Sequence, residues 1–355
     1  MCFDKRQTNI AKGVSVLMLL WHHLFYDTPE QYSLFSSLYL VHGIPIECFI
    51  ARLCNVCVAI FLFLSGFGLY KSWQSKLMHS VQTNNRKSIV KHSLFFSINH
   101  LKNLLMSYWF IYVVFVPIGV FFGRKFWEIY NLNVFYGLSD VLGFAFLFNT
   151  PTMNETWWFM SVIILLYLFF PVLLRILNWS GEILLIISII LMVFPYFSGI
   201  SFLGKYFVYI PPFVLGMLFA QRNGFEFIAL QNKFKFQRVL LCGLLIVLFG
   251  YIRWISIDSL FFDSLFALAI IMFSFLVLSQ INVLNSVFEF LGKHSGFIFM
   301  FHTFIYNYYF KRIIYAFKYS VVIFIVMVVS CCFISVLLNY IKQWIHFNKI
   351  VVKCK

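Results

Sequence analysis

Charged side chains are scarce in this sequence of 355 residues: Asp, Glu, Lys and Arg make up 11% of it, whereas 62% of the residues are hydrophobic. Soluble domains carry about 25% charged and about 45–50% apolar residues. Because a single core stops growing near ~250–300 residues, one core cannot remove this apolar excess from water. The soluble, fibrous and disordered classes are therefore excluded, and a lipid bilayer is the expected solvent.

Acidic residues are the scarcer of the two signs, with 12 Asp and Glu against 27 Lys and Arg and a formal net charge of +15. In a soluble protein this balance would indicate a nucleic-acid partner. In a membrane protein, basic residues instead gather in cytoplasmic loops beside anionic lipid. We therefore predict the bilayer as a partner and no nucleic acid.

Several other patterns are missing. No ten-residue alternation of apolar and polar residues is present, which excludes an outer-membrane barrel. No long-period repeat or pair of equivalent halves is found, which weakens a transporter built from inverted repeats. Cys54 and Cys57 have CxxC spacing, but no second pair completes a zinc site, so we predict no metal and no bound cofactor. No small-residue cleavage site follows the first apolar run, so that run is expected to remain as a helix.

The apolar residues form continuous runs of the length that crosses ~30 Å of hydrocarbon. They predict an all-α polytopic membrane protein with about ten transmembrane helices in a single domain over 1–355, and a shorter re-entrant or interfacial piece near 134–148. Lys and Arg fall mostly on one side of these spans, which places both termini in the cytoplasm. The sequence makes no prediction of oligomeric state. The predicted spans are 10–26, 48–70, 102–122, 157–177, 183–198, 205–221, 239–257, 262–280, 295–310 and 320–345.

Two ionisable residues share one face of the first predicted span. Lys12 and His23 are eleven residues apart, which in an α-helix is a net rotation of ~20° and a rise of ~16 Å. Ionisable groups inside a span are costly and commonly face a cavity or a partner. The alternative is a lysine that extends to the interface and a histidine bonded to a neighbouring helix. From the spacing alone, both interpretations stay open.

This spacing and three later elements resemble the acyltransferase-3 family of membrane O-acyltransferases, and together they extend over nearly the whole chain. The elements are Lys12 followed after ten residues by His23; Ile60-Phe-Leu-Phe-Leu-Ser65-Gly66-Phe67; Glu155-Thr-Trp157-Trp158-Phe159-Met-Ser161; and Phe290-Leu-Gly292-Lys-His-Ser295 followed by His302. Two features depart from the family pattern. Ala59 stands where many members have an acidic residue, and His100-Leu-Lys102-Asn103 stands where they have an RxxR element, so a point charge replaces an arginine fork there.

The resemblance implies transfer of an acyl group, most commonly acetyl from acetyl-CoA, to a hydroxyl of a cell-surface glycan. His23 is the predicted catalytic group, either as general base or as a covalent acyl relay. Glu155 is predicted to orient the imidazole or to bind the sugar. The predicted donor- and substrate-binding residues are Lys12, Lys91, Lys102, Ser65, Trp157 and His302.

Each of these residues also has a structural interpretation. The basic residues can serve topology alone, and Trp157 and Trp158 can belong to an interfacial aromatic belt, which is the preferred interpretation for Trp158. Ser65-Gly66 is expected to permit a close approach of two helices. For His302, a structural hydrogen bond is as well supported as a role in binding.

The predicted function is therefore that of a multi-pass acyltransferase of a bacterial plasma membrane that uses acyl-CoA and modifies a polysaccharide, such as capsule, or its lipid-linked precursor. The alternative is a polytopic glycan exporter, flippase or polymerase without acyl transfer. A flippase has no need of the Lys12 and His23 pair. A polymerase normally has a large extracytoplasmic loop, and the longest predicted outer connection here is 123–156.

Overall fold

The computed structural model describes residues 3–26, 28–79, 86–199, 201–230, 235–255 and 262–345. They form mainly helices, as expected where lipid offers no partner to backbone polar groups. The all-α prediction is confirmed. In chain order the helices are α1 (Lys5–Leu24), α2 (Pro29–Tyr32), α3 (Ile46–Cys54), α4 (Cys57–His79), α5 (Arg86–Gly119), α6 (Phe126–Ile129), α7 (Val134–Val141), α8 (Trp158–Trp179), α9 (Gly181–Ser198), α10 (Ser201–Phe207), α11 (Ile210–Gln221), α12 (Gly224–Leu230), α13 (Lys235–Ile255), α14 (Asp263–Leu276), α15 (Asn282–Thr303), α16 (Lys311–Tyr315) and α17 (Ser320–Trp344).

Shorter elements complete the described chain. Strands β1 (Leu40–Val41) and β2 (Ile44–Pro45) form a small antiparallel hairpin. Single 3₁₀ turns cover Val120–Phe122, Glu155–Trp157 and Leu278–Gln280. A π-helix, Phe304–Tyr309, directly continues α15. Such wide turns inside helices are frequent at functional sites.

Six helices in the described ranges are long and apolar enough to cross a membrane, and Gly181–Pro195 is a shorter apolar helix. The chain is thus a multi-pass membrane protein by length and composition, but the predicted number of about ten spans is not confirmed. The six are Ile46–Leu77, Lys91–Phe122, Glu155–Trp179, Phe236–Ile255, Asp263–Gln280 and Ser320–Trp344.

The remaining predicted runs are helical but too polar or too short. Helix α1 begins with Lys5 and Arg6 and contains Lys12, which lowers its mean hydropathy. Run 205–221 is divided between α10 and α11, because Pro211 and the following proline occupy the first turn of α11. Proline lacks the N–H that would continue a preceding helix, but it fits a first turn. Two short helices therefore replace one predicted span.

The chain divides into two compact units, and four helices (α1, α5, α8 and α15) contribute residues to both. The single domain over 1–355 stays a prediction. The first unit contains Met1–Ser15, Asn55–Asn99 and Leu165–Lys293; the second contains Val16–Cys54, His100–Ile164 and His294–Lys355.

In the first unit, glycines allow helices to touch through their backbones. A Cβ on Gly66 of α4 would clash with the carbonyl oxygen of Phe213 on α11, and a Cβ on Gly216 would clash with that of Phe63. The close approach expected at Ser65-Gly66 is thereby confirmed. Small residues that bring helix backbones together are the usual means of packing in lipid, where the hydrophobic effect gives no drive between helices.

In the second unit, Glu47 at the start of α3 joins three elements. Its carboxylate accepts hydrogen bonds from Ser37 Oγ (2.7 Å), Leu38 N (2.8 Å) and Ser320 Oγ (2.7 Å), and its side chain is fully buried. Three donors compensate a charge that would otherwise be costly to bury. This network fixes the loop before the β-hairpin against the start of α17.

Candidate active site

The second unit brings two of the predicted histidines together. His23 lies one residue before the end of α1, and His302 lies one residue before the end of α15. Their ring centroids are 4.9 Å apart, with an angle of 49° between the ring planes. His302 is completely buried, whereas His23 is half-buried and lines a cavity. The buried imidazole of His302 therefore packs against the imidazole of His23, which faces the cavity.

The hydrogen bonds of His302 show which of its two ring nitrogens can accept a hydrogen bond or a proton. Its Nδ1 is 2.9 Å from the carbonyl oxygen of Phe299 and 3.0 Å from that of Ile298. Carbonyl oxygens only accept, so Nδ1 carries the hydrogen and Nε2 holds the lone pair in the neutral ring. Nε2 is buried and has no hydrogen-bond partner within the described residues. To leave a buried acceptor without a hydrogen bond costs about 1–3 kcal/mol of folding free energy. Nε2 of His302 is therefore an unsatisfied polar atom close to His23.

His23 opens into a polar cavity of about 330 Å³, hereafter the histidine cavity. Glu155 of the predicted set also lines it, as does His22, whose Nδ1 is 2.8 Å from the carbonyl oxygen of Ala51. Trp158 supplies an aromatic wall. The other lining residues, which sequence reasoning missed, are Tyr26, Thr28, Gln31, Thr156, Thr303, Tyr306 and Asn307.

Gln31 anchors the end of α1 beside the cavity. Its Nε2 donates to the carbonyl oxygen of Leu24 and to the Tyr315 hydroxyl, each at 2.5 Å. The Tyr315 hydroxyl itself donates to the Leu24 carbonyl at 2.8 Å. The last carbonyls of a helix have no partner within the helix, and these two side chains satisfy one of them. The arrangement holds the chain directly after His23.

The segment 152–157 carries Glu155 to the cavity. Asn154 caps its 3₁₀ turn: Oδ1 accepts from the Thr156 backbone N–H (3.0 Å), and Nδ2 donates to the Met300 carbonyl (3.2 Å). The Glu155 N–H donates to the Tyr308 hydroxyl at 3.2 Å, which leaves its exposed carboxylate at the cavity. No hydrogen bond joins that carboxylate to His23 in the part of the chain described.

The surroundings of the two tryptophans differ from those expected from the sequence. Trp157 is buried; its Nε1 donates to the Met300 carbonyl at 2.9 Å, and its ring stacks on Tyr112 with centroids 5.5 Å apart. It does not line the histidine cavity, whereas Trp158 does. The tryptophan that faces the cavity is therefore Trp158, for which the sequence favours a place in an interfacial belt.

Asp140 holds the segment before Glu155 in place. Its Oδ2 accepts from the Tyr130 hydroxyl (2.7 Å) and the Met153 N–H (2.8 Å), and its Oδ1 accepts from Thr152 Oγ1 (2.8 Å). Arg124 donates from Nε to the Met153 carbonyl at 2.8 Å. Burial raises the pKa of Asp140 to about 6, and hydrogen bonds to its charged form oppose the shift.

The other predicted site residues lie elsewhere. Lys12, Lys91 and Ser65 belong to the first unit, where Lys12 is half-buried and Lys91 is exposed. The Ser65 side chain lies near the Tyr167 hydroxyl and interacts with it electrostatically. Lys102 is a half-buried residue of α5 in the second unit and does not line the histidine cavity.

A sequence signal for some of the missed residues exists. Tyr306 follows His302 by four positions, so it shares the helix face of His302, and Thr303 and Asn307 are the residues directly after these two. They are also polar residues in an otherwise apolar run. Thr28 and Gln31 lack such a signal, because they lie in the connection between α1 and β1, which includes the short helix α2 and whose path depends on contacts with α16 and on Glu47.

Comparison with known proteins gives one match. A family model described as an acyltransferase domain, of the acyltransferase-3 type, matches residues 7–340. The match begins in α1 and ends in α17, so it includes every element of the histidine cavity. No curated protein and no solved structure gives a significant match.

Proposed function

The chain belongs to the acyltransferase-3 family, and from this premise we propose that it is a membrane O-acyltransferase that moves an acyl group from acyl-CoA to a glycan hydroxyl. The proposed donor is acetyl-CoA, and the proposed acceptor is a cell-surface polysaccharide or its lipid-linked precursor. The proposed location is a bacterial plasma membrane. The observation that carries the proposal is the pair of imidazoles, His23 at the histidine cavity and His302 with its unpaired Nε2.

In the first possible route, His23 acts as a general base. It removes the proton of the acceptor hydroxyl while the oxygen attacks the thioester carbonyl carbon. A C–O bond forms, the C–S bond breaks, and the proton passes from the imidazolium to the CoA sulfur. His302 Nε2 can accept a hydrogen bond from the other ring nitrogen of His23 and so stabilise the imidazolium as it forms. His302 is then a positioning residue.

In the second route, His23 is a covalent relay. Its ring nitrogen attacks the thioester carbonyl, so a C–N bond forms as the C–S bond breaks. The acceptor hydroxyl then attacks the acyl-imidazole, a C–O bond replaces the C–N bond, and the hydroxyl proton balances the charge of the CoA thiolate released in the first step, so that CoA leaves as the thiol. Incubation of the purified protein with acetyl-CoA alone, followed by rapid quenching and mass spectrometry, distinguishes the routes: acetylated His23 supports the relay, and its absence with competent enzyme supports general-base catalysis.

The remaining groups have roles that follow from their chemistry. Trp158 offers a ring face on which a sugar can stack, and Glu155 offers a carboxylate that can accept hydrogen bonds from sugar hydroxyls. We retain Lys12, Lys91 and Lys102 as candidates for binding the phosphates of the donor, because an ammonium group binds phosphate as a point charge.

The decisive experiment is His23→Ala in cells that carry only this variant. We expect the glycan to lose its O-acetyl groups while the protein remains inserted in the membrane at normal abundance. His92→Ala is the matched control, because His92 is exposed in the other unit. Full O-acetyl content in the His23→Ala strain, measured by NMR of the isolated polysaccharide, would contradict the proposal.

A further inference from the structure

A second cavity lies against the wall of the histidine cavity. It has a volume of about 260 Å³, and we name it the flanking cavity. Asn307 lines both cavities, and the next residue, Tyr308, lines the flanking one. Both cavities are formed by residues of the second unit. The two cavities are therefore neighbours that meet at Asn307.

The wall between the cavities is ordered by several contacts. The Tyr308 hydroxyl accepts a hydrogen bond from the Glu155 N–H, and the guanidinium of Arg124 lies 3.7 Å above the Tyr308 ring centroid. Arg124 also donates to the carbonyls of Met153 (2.8 Å) and Thr152 (3.4 Å). The Arg124 side chain is thus held in one orientation before any ligand arrives, which reduces the entropy lost on binding.

The charge of the flanking cavity is positive. It contains Arg124, Lys125 and Glu128, and Lys125 Nζ is 2.8 Å from Glu128 Oε1. These two partners largely compensate each other. Arg124 forms no salt bridge in the described part of the chain, and its Nη1 makes no hydrogen bond there. A guanidinium with free donors suits a carboxylate or a phosphate, which it binds through two parallel hydrogen bonds.

The volume of the histidine cavity also indicates that an oligosaccharide acceptor needs a second binding region. Pockets for small ligands have volumes of about 300–1,000 Å³, so 330 Å³ is near the lower limit. An oligosaccharide acceptor cannot be contained there as a whole. The units next to the acylated sugar need further space, and the flanking cavity offers it together with the aromatic rings of Phe122 and Tyr308.

We propose that the flanking cavity binds an anionic group of the acceptor glycan, a carboxylate or a phosphate, on a unit next to the sugar that receives the acyl group. Arg124 is the principal contact, and Lys125 adds to the positive charge. The proposal rests on the proposed acyltransferase function. It makes the protein selective for acidic glycans, since a neutral glycan would leave the guanidinium without a counter-charge.

Binding is tested separately from acyl transfer with the purified full-length protein in detergent. The probes are a hyaluronan tetrasaccharide, which carries carboxylates, and chitotetraose, a neutral chain of equal length. A phosphorylated disaccharide, diacetylchitobiose 1-phosphate, distinguishes phosphate from carboxylate. Saturation-transfer NMR titrations give the dissociation constants. We expect at least one anionic probe to bind at least ~10-fold more tightly than chitotetraose, because only an anionic probe forms charge-assisted hydrogen bonds with the guanidinium.

Three substitutions test the assignment by the direction of their effects. Lys125→Gln should weaken anionic-probe binding about two- to fivefold, and Glu128→Gln should strengthen it by a similar factor, which is the range of exposed charge pairs. Arg124→Gln should weaken it ~10-fold or more. Opposite effects at Lys125 and Glu128 cannot come from a general loss of structure, so they remain informative if Arg124→Gln misfolds.

Two controls complete the design. Arg222→Gln removes an exposed, salt-bridged arginine in the first unit and should change no dissociation constant. His23→Ala should abolish transfer but retain probe binding, so a failure of the flanking cavity is separate from a failure of the proposed chemistry. Three results would overturn the proposal. The first is equal affinity for the hyaluronan tetrasaccharide, the phosphorylated probe and chitotetraose, and the second is no saturable binding of either anionic probe. The third is a substitution effect on the dissociation constant that is the same for charged and neutral probes.

Discussion

Replacement of His302 by asparagine gives the sharpest test of the paired imidazoles. The Asn amide nitrogen can occupy the place of Nδ1 and continue to donate to the carbonyls of Ile298 and Phe299, which are 3.0 and 2.9 Å from Nδ1. The acceptor at Nε2 is lost. The substitution therefore removes the one atom of interest, while it retains the local hydrogen bonds of α15.

The expected loss of turnover follows from the strength of the hydrogen bond that Nε2 of His302 can accept. If it receives a hydrogen bond from His23 as that ring becomes an imidazolium, the bond is charge-assisted and worth about 1.5–3 kcal/mol. This energy corresponds to a turnover about 10- to 150-fold slower. Because the proposed acceptor site is the histidine cavity, which His302 does not line, the KM for the acceptor should change little. A loss confined to kcat indicates stabilisation in the transition state alone.

The assay is transfer of radiolabelled acetyl from acetyl-CoA to the isolated acceptor glycan by purified protein, expressed per folded molecule. His302→Gln should recover part of the activity, because its longer side chain can place a carbonyl oxygen near the position of Nε2. His294→Asn, eight residues earlier in α15, is the matched control and should retain turnover close to wild type. Full activity of His302→Asn would refute the role given to Nε2.

Further predictions concern the donor, the packing and the buried carboxylate. Lys12→Ala should raise KM for acetyl-CoA and leave KM for the glycan unchanged; an unchanged donor dependence contradicts its phosphate role. Gly66→Ala should destabilise the protein by about 1–3 kcal/mol, because its methyl group meets the Phe213 carbonyl; Gly68→Ala, with open space inside α4, should leave the midpoint of thermal unfolding unchanged or raise it. For Asp140, the folded state keeps its proton to about pH 6 and the unfolded chain only to about pH 3.9. Stability should therefore fall by about 3 kcal/mol as the pH rises across this interval, and Asp140→Asn should remove that slope in denaturation curves.

The sequence predicts the helical class well, because lipid imposes simple rules on composition. Long apolar runs must be helical, and a histidine in such a run is conspicuous. His23, Glu155 and His302 are found from these rules and from the resemblance together. The predicted number of spans is not confirmed. Helices α1 and α15 are not among the six long apolar helices, because they carry polar residues such as Lys12 and Glu289.

What the sequence could not predict depends on tertiary contacts. The orientation of Trp157 into the protein and Trp158 toward the cavity follows from the hydrogen bond to Met300 and the 3₁₀ turn before α8. Two adjacent tryptophans give no signal of which one is buried. The pairing of His23 with His302 likewise requires α1 and α15 to be neighbours, although 279 positions separate the two residues.

The buried polar groups of the second unit explain why His302 stands out among them. The Glu47 carboxylate accepts three hydrogen bonds and the Asp140 carboxylate accepts three. Among the described residues of this unit, His302 Nε2 is the one buried side-chain nitrogen or oxygen without a partner. In the second unit, therefore, the described acceptor that lacks a partner is the one whose ring centroid lies 4.9 Å from that of a second imidazole, and buried unpaired groups of this kind call for an explanation. In the proposed mechanism, His23 takes the proton of the attacking hydroxyl and its other ring N–H then supplies the missing donor.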